Sequence, residues 1–361
     1  MRIRFGRAVS ALAVIAATVL GTVACSSAAT SSSSSDGDPL AAAKEFYRGK
    51  TITFIVGNAA GSTPATAMSL IKEPMEKYLG ATLNMTFSNA AAIASEDQVG
   101  TALADGLTIG ELSLGSALVA EYAGAGAPSF DLTQASFMGA VVQSPDLLVA
   151  CANSPIRTID DLVSGKYPVS MVNQKVANNG LVGSYILNAW DIEDAKWNFY
   201  GNSADQTAGC ARGDGNVSVG NVGAWMDASG AQVTPGLTPL LLLGSVDGFA
   251  SEDSLEGVPT LDEYVAKNPP KTDRGKQAVA LLQAMFTQTA PSFVIFGPPG
   301  IDDGYRQLIA DAMRSAMADP EVQAKYKAVQ TPPIYVAPED VRTAVAAQLG
   351  SSTDVIKTYL P

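Results

Sequence analysis

The stretch Thr51–Gly80, TITFIVGNAAGSTPATAMSLIKEPMEKYLG, decides how the rest of the chain is read. Thr51–Val56 is a short apolar run rich in β-branched residues, the pattern of a buried strand. Gly57–Ser62 is almost entirely small. Thr63 is a candidate N-cap, with Pro64 at the first helical position. Met68, Ile71, Met75 and Leu79 then recur at helical spacing, and Gly80 closes the helix. Pro74 lies inside it and predicts a kink. A strand, a small-residue loop and a helix start leave backbone N–H groups free beside the positive end of a helix dipole, an arrangement that receives anions. The same succession also serves packing alone in many α/β proteins, so this stretch leaves both readings open.

Composition narrows the choice. With 361 residues, 47% of them hydrophobic and 16% charged, the chain is long enough for two globular domains. Its formal charge of −12 argues against a nucleic-acid partner, whose phosphates need clustered Lys and Arg. It does not argue against a small anion, which backbone dipoles bind without formal charge. The count of histidines is 0. That removes Ser-His-Asp and Cys-His catalysis, histidine metal ligands and a histidine pH switch together. No cofactor is expected.

The N-terminus reads as an export signal. Arg2, Arg4 and Arg7 precede the short apolar core Ala11–Leu20, and LGTVAC ends at Cys25. The segment resembles a bacterial lipoprotein signal, residues 1–24, after which Cys25 is lipidated; the alternative is an ordinary secretory signal cut near Ala24. Residues 25–43 are read as the lipidated cysteine and a flexible Ser-rich tether. The leader holds three arginines and no acid, so its removal takes the net charge from −12 to −15. Cys151 and Cys210 then remain as an even pair in an oxidising compartment, either bridged or two buried free thiols.

Through the body, strands alternate with helices. Strand readings include Ala81–Phe87, Leu107–Leu114, Ser136–Val142, Leu147–Cys151, Tyr167–Val172, Lys196–Tyr200, Asn216–Val219, Leu237–Leu243 and Pro291–Phe296. Ala177–Gly180 and Gly124–Gly126 read as loops, and Arg212-Gly213-Asp214 as a turn rather than an adhesion motif. Recurring βα units predict doubly wound parallel sheets, and their number predicts two domains with a cleft between them.

Several of these stretches together are similar to the tripartite tricarboxylate transporter receptors, the TctC or Bug family of extracytoplasmic solute-binding proteins. Ile52–Ala65 aligns with the family's ITLIVPF-AAGG-STD-like opening, Asp105–Ile109 with its DGYTLL-like turn, and Phe137–Ala150 with its FxPV and PxxLVV segments. Pro155–Leu162 resembles its PAKTLAEL-like step and Tyr200–Asn202 its YRG-like loop. Val258–Glu263 matches its VPTLAE motif, Phe296–Ile301 its PAGTP-like turn, and Ala318–Val322 its ADPEV helix start. The chain departs from the pattern at Ser62 (usually Gly), at Ala65 (usually Asp), at Gly57-Asn58 (usually Pro-aromatic), and in a second-lobe loop without His.

The resemblance implies an α/β, two-lobed periplasmic-binding-protein-like fold of type II. Each lobe would be a mostly parallel sheet flanked by helices, with residues 44–145 and 240–361 in lobe I and 146–239 in lobe II. It also implies a carboxylate held in the cleft by backbone amides and neutral side chains. Carried over, Asn58, Ala59, Ala60, Gly61, Ser62 and Thr63 form the first-lobe loop, with Gly115 and Ser116 beside it. Asn178, Asn179, Gly180 and Ser184 supply the second-lobe loop, with Tyr200, Asn202 and Asn221 nearby. The implied role is a monomeric, lipid-anchored receptor on the outer face of the cytoplasmic membrane, delivering its ligand to membrane permease subunits. Alternatives are a ligand sensor for a membrane signalling partner and a non-transport surface lipoprotein. An enzyme built on Ser62 or Thr63 lacks a base in that loop.

Overall fold

A computed structural model describes residues 38–88, 92–123, 128–142, 144–174, 178–201, 203–227, 229–286, 290–350 and 357–360. The lipoprotein signal, Cys25, the tether up to residue 37, the Gly124–Gly126 loop and Asn202 lie outside the described residues.

The chain enters through α1 (Pro39–Tyr47), whose N-cap Asp38 accepts from the Leu40 N–H at 3.0 Å. Ala43 is already buried in this helix, so the tether expected to reach residue 43 ends by Asp38. The Asp-Pro helix start explains the difference. Next come β1 (Thr51–Val56), α2 (Thr63–Leu79), β2 (Thr82–Phe87), α3 (Ala92–Gly100), β3 (Thr108–Ser113), α4 (Leu114–Ala123) and β4 (Ser136–Val142). α2 contains Pro74 and continues on both sides of it.

The second half of the fold comprises β5 (Asp146–Ala150), α5 (Ile159–Val163), β6 (Ser170–Gln174), α6 (Asn178–Ala189), β7 (Lys196–Tyr200), α7 (Ser203–Arg212), β8 (Val217–Asn221), α8 (Val222–Trp225), β9 (Thr238–Leu243), α9 (Leu261–Lys267) and α10 (Asp273–Met285). The return leg holds β10 (Pro291–Gly297), α11 (Asp303–Met317), α12 (Pro320–Ala328), β11 (Tyr335–Val336) and α13 (Pro338–Gly350).

Two sheets result, ordered β11-β4-β10-β3-β1-β2 and β7-β6-β8-β5-β9. Both repeat one plan: three parallel strands with the first in the middle, then a strand that arrives from the other sheet, then β4 and β11 in the first sheet and β9 in the second. β10 runs antiparallel to β3 and β4, and β5 runs antiparallel to β8 and β9. The sheets are therefore mixed, where mostly parallel ones were expected. Strands that carry the chain across from the other lobe enter at the cleft end and run away from it, against their neighbours.

The lobe boundary also differs from expectation. β9 pairs with β5, so a boundary at residue 239 falls inside a strand of the second sheet. Residues beyond it stay with that lobe: Tyr264 donates its hydroxyl to Asp160 at 2.7 Å, and Trp190 Nε1 donates to the Asn268 carbonyl at 3.0 Å. The chain returns to the first sheet only at β10. These pairings are non-local, which is why local sequence patterning did not reveal them.

Burial follows the sequence. β5 reads DLLVA and is buried along its whole length. Leu148 and Ala150 pack into one core cluster, and Leu147 and Val149 into another. A continuous apolar run is what a strand covered on both faces requires. Cys151, just past β5, is joined to Cys210 of α7 by a disulfide. The Arg212–Asp214 segment is a turn closed by an ion pair at 2.6 Å.

Candidate functional site

β1 and β3 of the first sheet, and β6 and β8 of the second, all end toward the gap between the sheets, each leading into a helix. Ligands in open α/β sheets bind at such carboxyl ends. A cavity of about 320 Å³ occupies this position. The first lobe contributes Asn58, Gly61, Ser62, Thr63 and Pro64 after β1, with Ser113 and Ser116 at the junction of β3 and α4. From the second come Gln174, then Ser203, Gln206 and Thr207 of α7, and Gly220, Asn221, Gly223, Ala224 and Trp225 around α8. Ser144, Asp146, Ser292 and Phe293, near the two crossings between sheets, complete the lining.

Local chemistry shapes the first wall. Gly61 adopts φ +86°, a conformation other residues resist, and Ser62 caps α2 by accepting from the Ala65 N–H at 3.4 Å. The cap is thus Ser62 and not Thr63; the φ > 0 turn at Gly61 places the transition one residue earlier. Asn58 Nδ2 donates to Glu111 Oε2 at 3.1 Å, and Ser113 Oγ donates to Glu111 Oε1 at 2.7 Å. Glu111 is 2% exposed, and burial pushes its carboxyl up to about 7 against the lowering effect of those two donors. Glu96 on α3 is pushed up to about 8, first by burial, then by the Glu111 and Asp97 charges. Its Oε2 has no hydrogen-bond partner among the described residues.

On the second wall Gln206 is 2% exposed. Its Nε2 donates to Ser218 Oγ and to the Val219 carbonyl, each at 2.9 Å, and its Oε1 accepts from Gln174 Nε2 at 3.2 Å. The disulfide lies one helical turn further along α7 and ties this face to β5. Trp225 is buried, with its Nε1 donating to the Gly220 carbonyl at 3.1 Å. Asp146 stands directly across the ladder from Asn221, and burial alone lifts its carboxyl to about 7. Among the described residues no group of three or more His, Cys, Asp or Glu could hold a metal ion.

Of the residues expected at the site, Asn58, Gly61, Ser62, Thr63, Ser116 and Asn221 share this cavity wall. Ala59 and Ala60 belong to the same loop and are exposed, and Gly115 sits in the first turn of α4; none of the three lines the cavity. Asn178, Asn179 and Gly180 are not loop residues but the first turn of α6, where backbone N–H groups need no intrahelical partner and poor helix formers are tolerated. Gly180 and Ser184 are buried in that helix and lie off the cavity wall; Ser184 accepts from Asn188 Nδ2 through its carbonyl at 2.8 Å. The Tyr200 hydroxyl donates to Asp214 at 2.5 Å, and its ring covers Gly209, so it too is absent from the wall. The second wall belongs instead to α7 and α8. Sequence reading missed Gln174, Gln206, Trp225 and Asp146. Of these only Asp146 leaves a local signal, an acid heading an otherwise apolar strand.

No family model matches the sequence, and no curated protein matches it. Solved structures do resemble it. The periplasmic binding protein BugD is 17% identical, with 87% of this chain and 98% of that chain covered at a TM-score of 0.66. Rpa4515 of R. palustris, solved with adipate, is 16% identical over 86% of this chain and 97% of its own, at 0.63. MatC from Rhodopseudomonas palustris, with bound malate, is 15% identical over 85% and 99%, at 0.62. The chain shares the two-lobed solute-binding-protein fold of these structures.

Proposed function

We propose that this chain is an extracytoplasmic solute-binding receptor that captures a small carboxylate in the cavity between its two sheets. The single observation that carries the reading is the cavity's construction. Small and neutral polar residues at the starts of α2, α4 and α7 wall it from both lobes, and among the described residues neither Lys nor Arg lines it. Helix starts offer N–H donors and a favourable dipole to a carboxylate, and a water-poor cleft strengthens each bond. The adipate and malate in two structures of the same fold support an acid as ligand. In this reading Cys25 carries a lipid that holds the protein at the outer face of the cytoplasmic membrane. The residues before α1 act as the tether, and membrane permease subunits of a tripartite transporter receive the cargo. The protein works as a monomer and performs no chemistry on its ligand.

Thermal unfolding tests this. A ligand that binds only the folded chain raises its stability with concentration. Protein emptied by unfolding and refolding should gain several degrees in Tm with at least one member of a panel of mono- and dicarboxylates. A flat response across the panel would contradict the proposal.

A further inference from the structure

We infer that the ligand is a zwitterion, a small acid that also carries a protonated amine, and that Asp146 binds the amine. This deepens the receptor reading and rests on it.

Asp146 is the one ionisable residue among the described residues lining the cavity. It is 4% exposed, and its carboxyl has no hydrogen-bond partner or opposite charge among the described residues. It heads β5, a strand otherwise apolar along its length. A buried carboxylate requires a partner, and the described residues supply none. Structural need does not account for it: Asn221, directly across the ladder, is a neutral residue that keeps the same strand pairing.

Among the described residues, the charges on and behind the cavity lining have one sign. Glu111 stands behind Asn58, so the formal charges on and just behind the lining are both acidic. A plain dicarboxylate would bring two more negative charges into that field with no cation among the described lining residues to meet either. A zwitterion divides its charge correctly. Its carboxylate goes to the starts of α2 and α4, where the donors are neutral, and its ammonium goes to Asp146, making charge-assisted hydrogen bonds to an acid already stripped of water. The rival role for Asp146, a protonated acid donating to a second ligand carboxylate, predicts the opposite preference.

Titration calorimetry on the full chain, emptied of co-purified ligand, separates the two. The probes are matched pairs sharing a carbon skeleton: L-aspartate and succinate, 4-aminobutyrate and butyrate, L-leucine and 4-methylpentanoate. In the pair that fits, the amine-bearing member should bind at least about tenfold tighter. Asp146→Asn should erase that preference. If every pair that binds favours the acid without the amine, or treats both alike, the inference is overturned while the receptor reading stands. If neither these probes nor the wider acid panel binds, both fall. The wild-type comparison needs no variant, so a folding defect in Asp146→Asn leaves the test intact.

Discussion

Asn58, on the loop after β1, hands its side-chain amide to the buried carboxyl of Glu111 on β3 at 3.1 Å. One wall of the cavity is thereby fastened to an acid that the fold keeps from water. Glu111 in turn stands close enough to Glu96 for its charge to raise the cost of ionising Glu96.

This arrangement sets a pH dependence. The ordinary value for both glutamates is 4.5; burial pushes Glu111 up to about 7 and Glu96 up to about 8. The folded chain keeps protons that the unfolded chain releases above pH 4.5. Their contribution to stability is fully present below that pH and is lost as pH rises through 7 to 8, by up to about 1.4 kcal/mol per pH unit per group. Asp146, raised to about 7, acts in the same direction. Tm should fall between pH 5 and pH 8, and Glu96→Gln should flatten the decline. A wild-type Tm constant over that range would refute it.

Ser62 separates folding from binding. As the N-cap of α2 it accepts from the Ala65 N–H, and Ser62→Ala should cost about 1 kcal/mol in denaturant unfolding. Ser62→Asp keeps a good cap and should hold stability close to wild type, while setting a negative charge where a ligand carboxylate would lie. Its affinity for any acid bound by the wild type should drop at least about tenfold.

The Cys151–Cys210 disulfide closes a loop with a sequence separation of 59 residues. By loop-closure entropy its loss should cost about 4 kcal/mol. The double Cys→Ser variant should show that drop in urea unfolding. Because α7 carries Gln206 and Thr207 to the cavity, it should also bind ligand more weakly.

Trp225 forms part of the second wall and is 1% exposed. Trp225→Ala leaves a large void, at a cost of about 3–5 kcal/mol by chemical denaturation. A loss under about 1 kcal/mol would show that the second lobe closes over the gap.

The first wall was legible because its signals are local. The TITFIV run, the glycine turn and the Ser-Thr-Pro helix start are contiguous, and the cap was misread by one residue only because Ser62 and Thr63 both qualify. The second wall was not legible. Gln206 reaches the cavity because a disulfide and the Ser218 contact hold α7 against β6 and β8. Asp146 meets Asn221 only through an antiparallel pairing across 75 residues of chain. That β9 belongs to the second sheet is likewise a property of pairing and not of its TPLLLL sequence. Asn178–Gly180 looked like a loop because Asn and Gly are weak helix formers, yet a first helical turn tolerates both.

Native mass spectrometry of the gently purified chain tests the central claim most directly, run beside Ser62→Asp. The account predicts one small carboxylic acid per wild-type chain, present as purified or after adding the acid panel, and absent from a folded Ser62→Asp protein. A wild-type chain that takes up no acid, or a Ser62→Asp chain that holds it equally well, would contradict it.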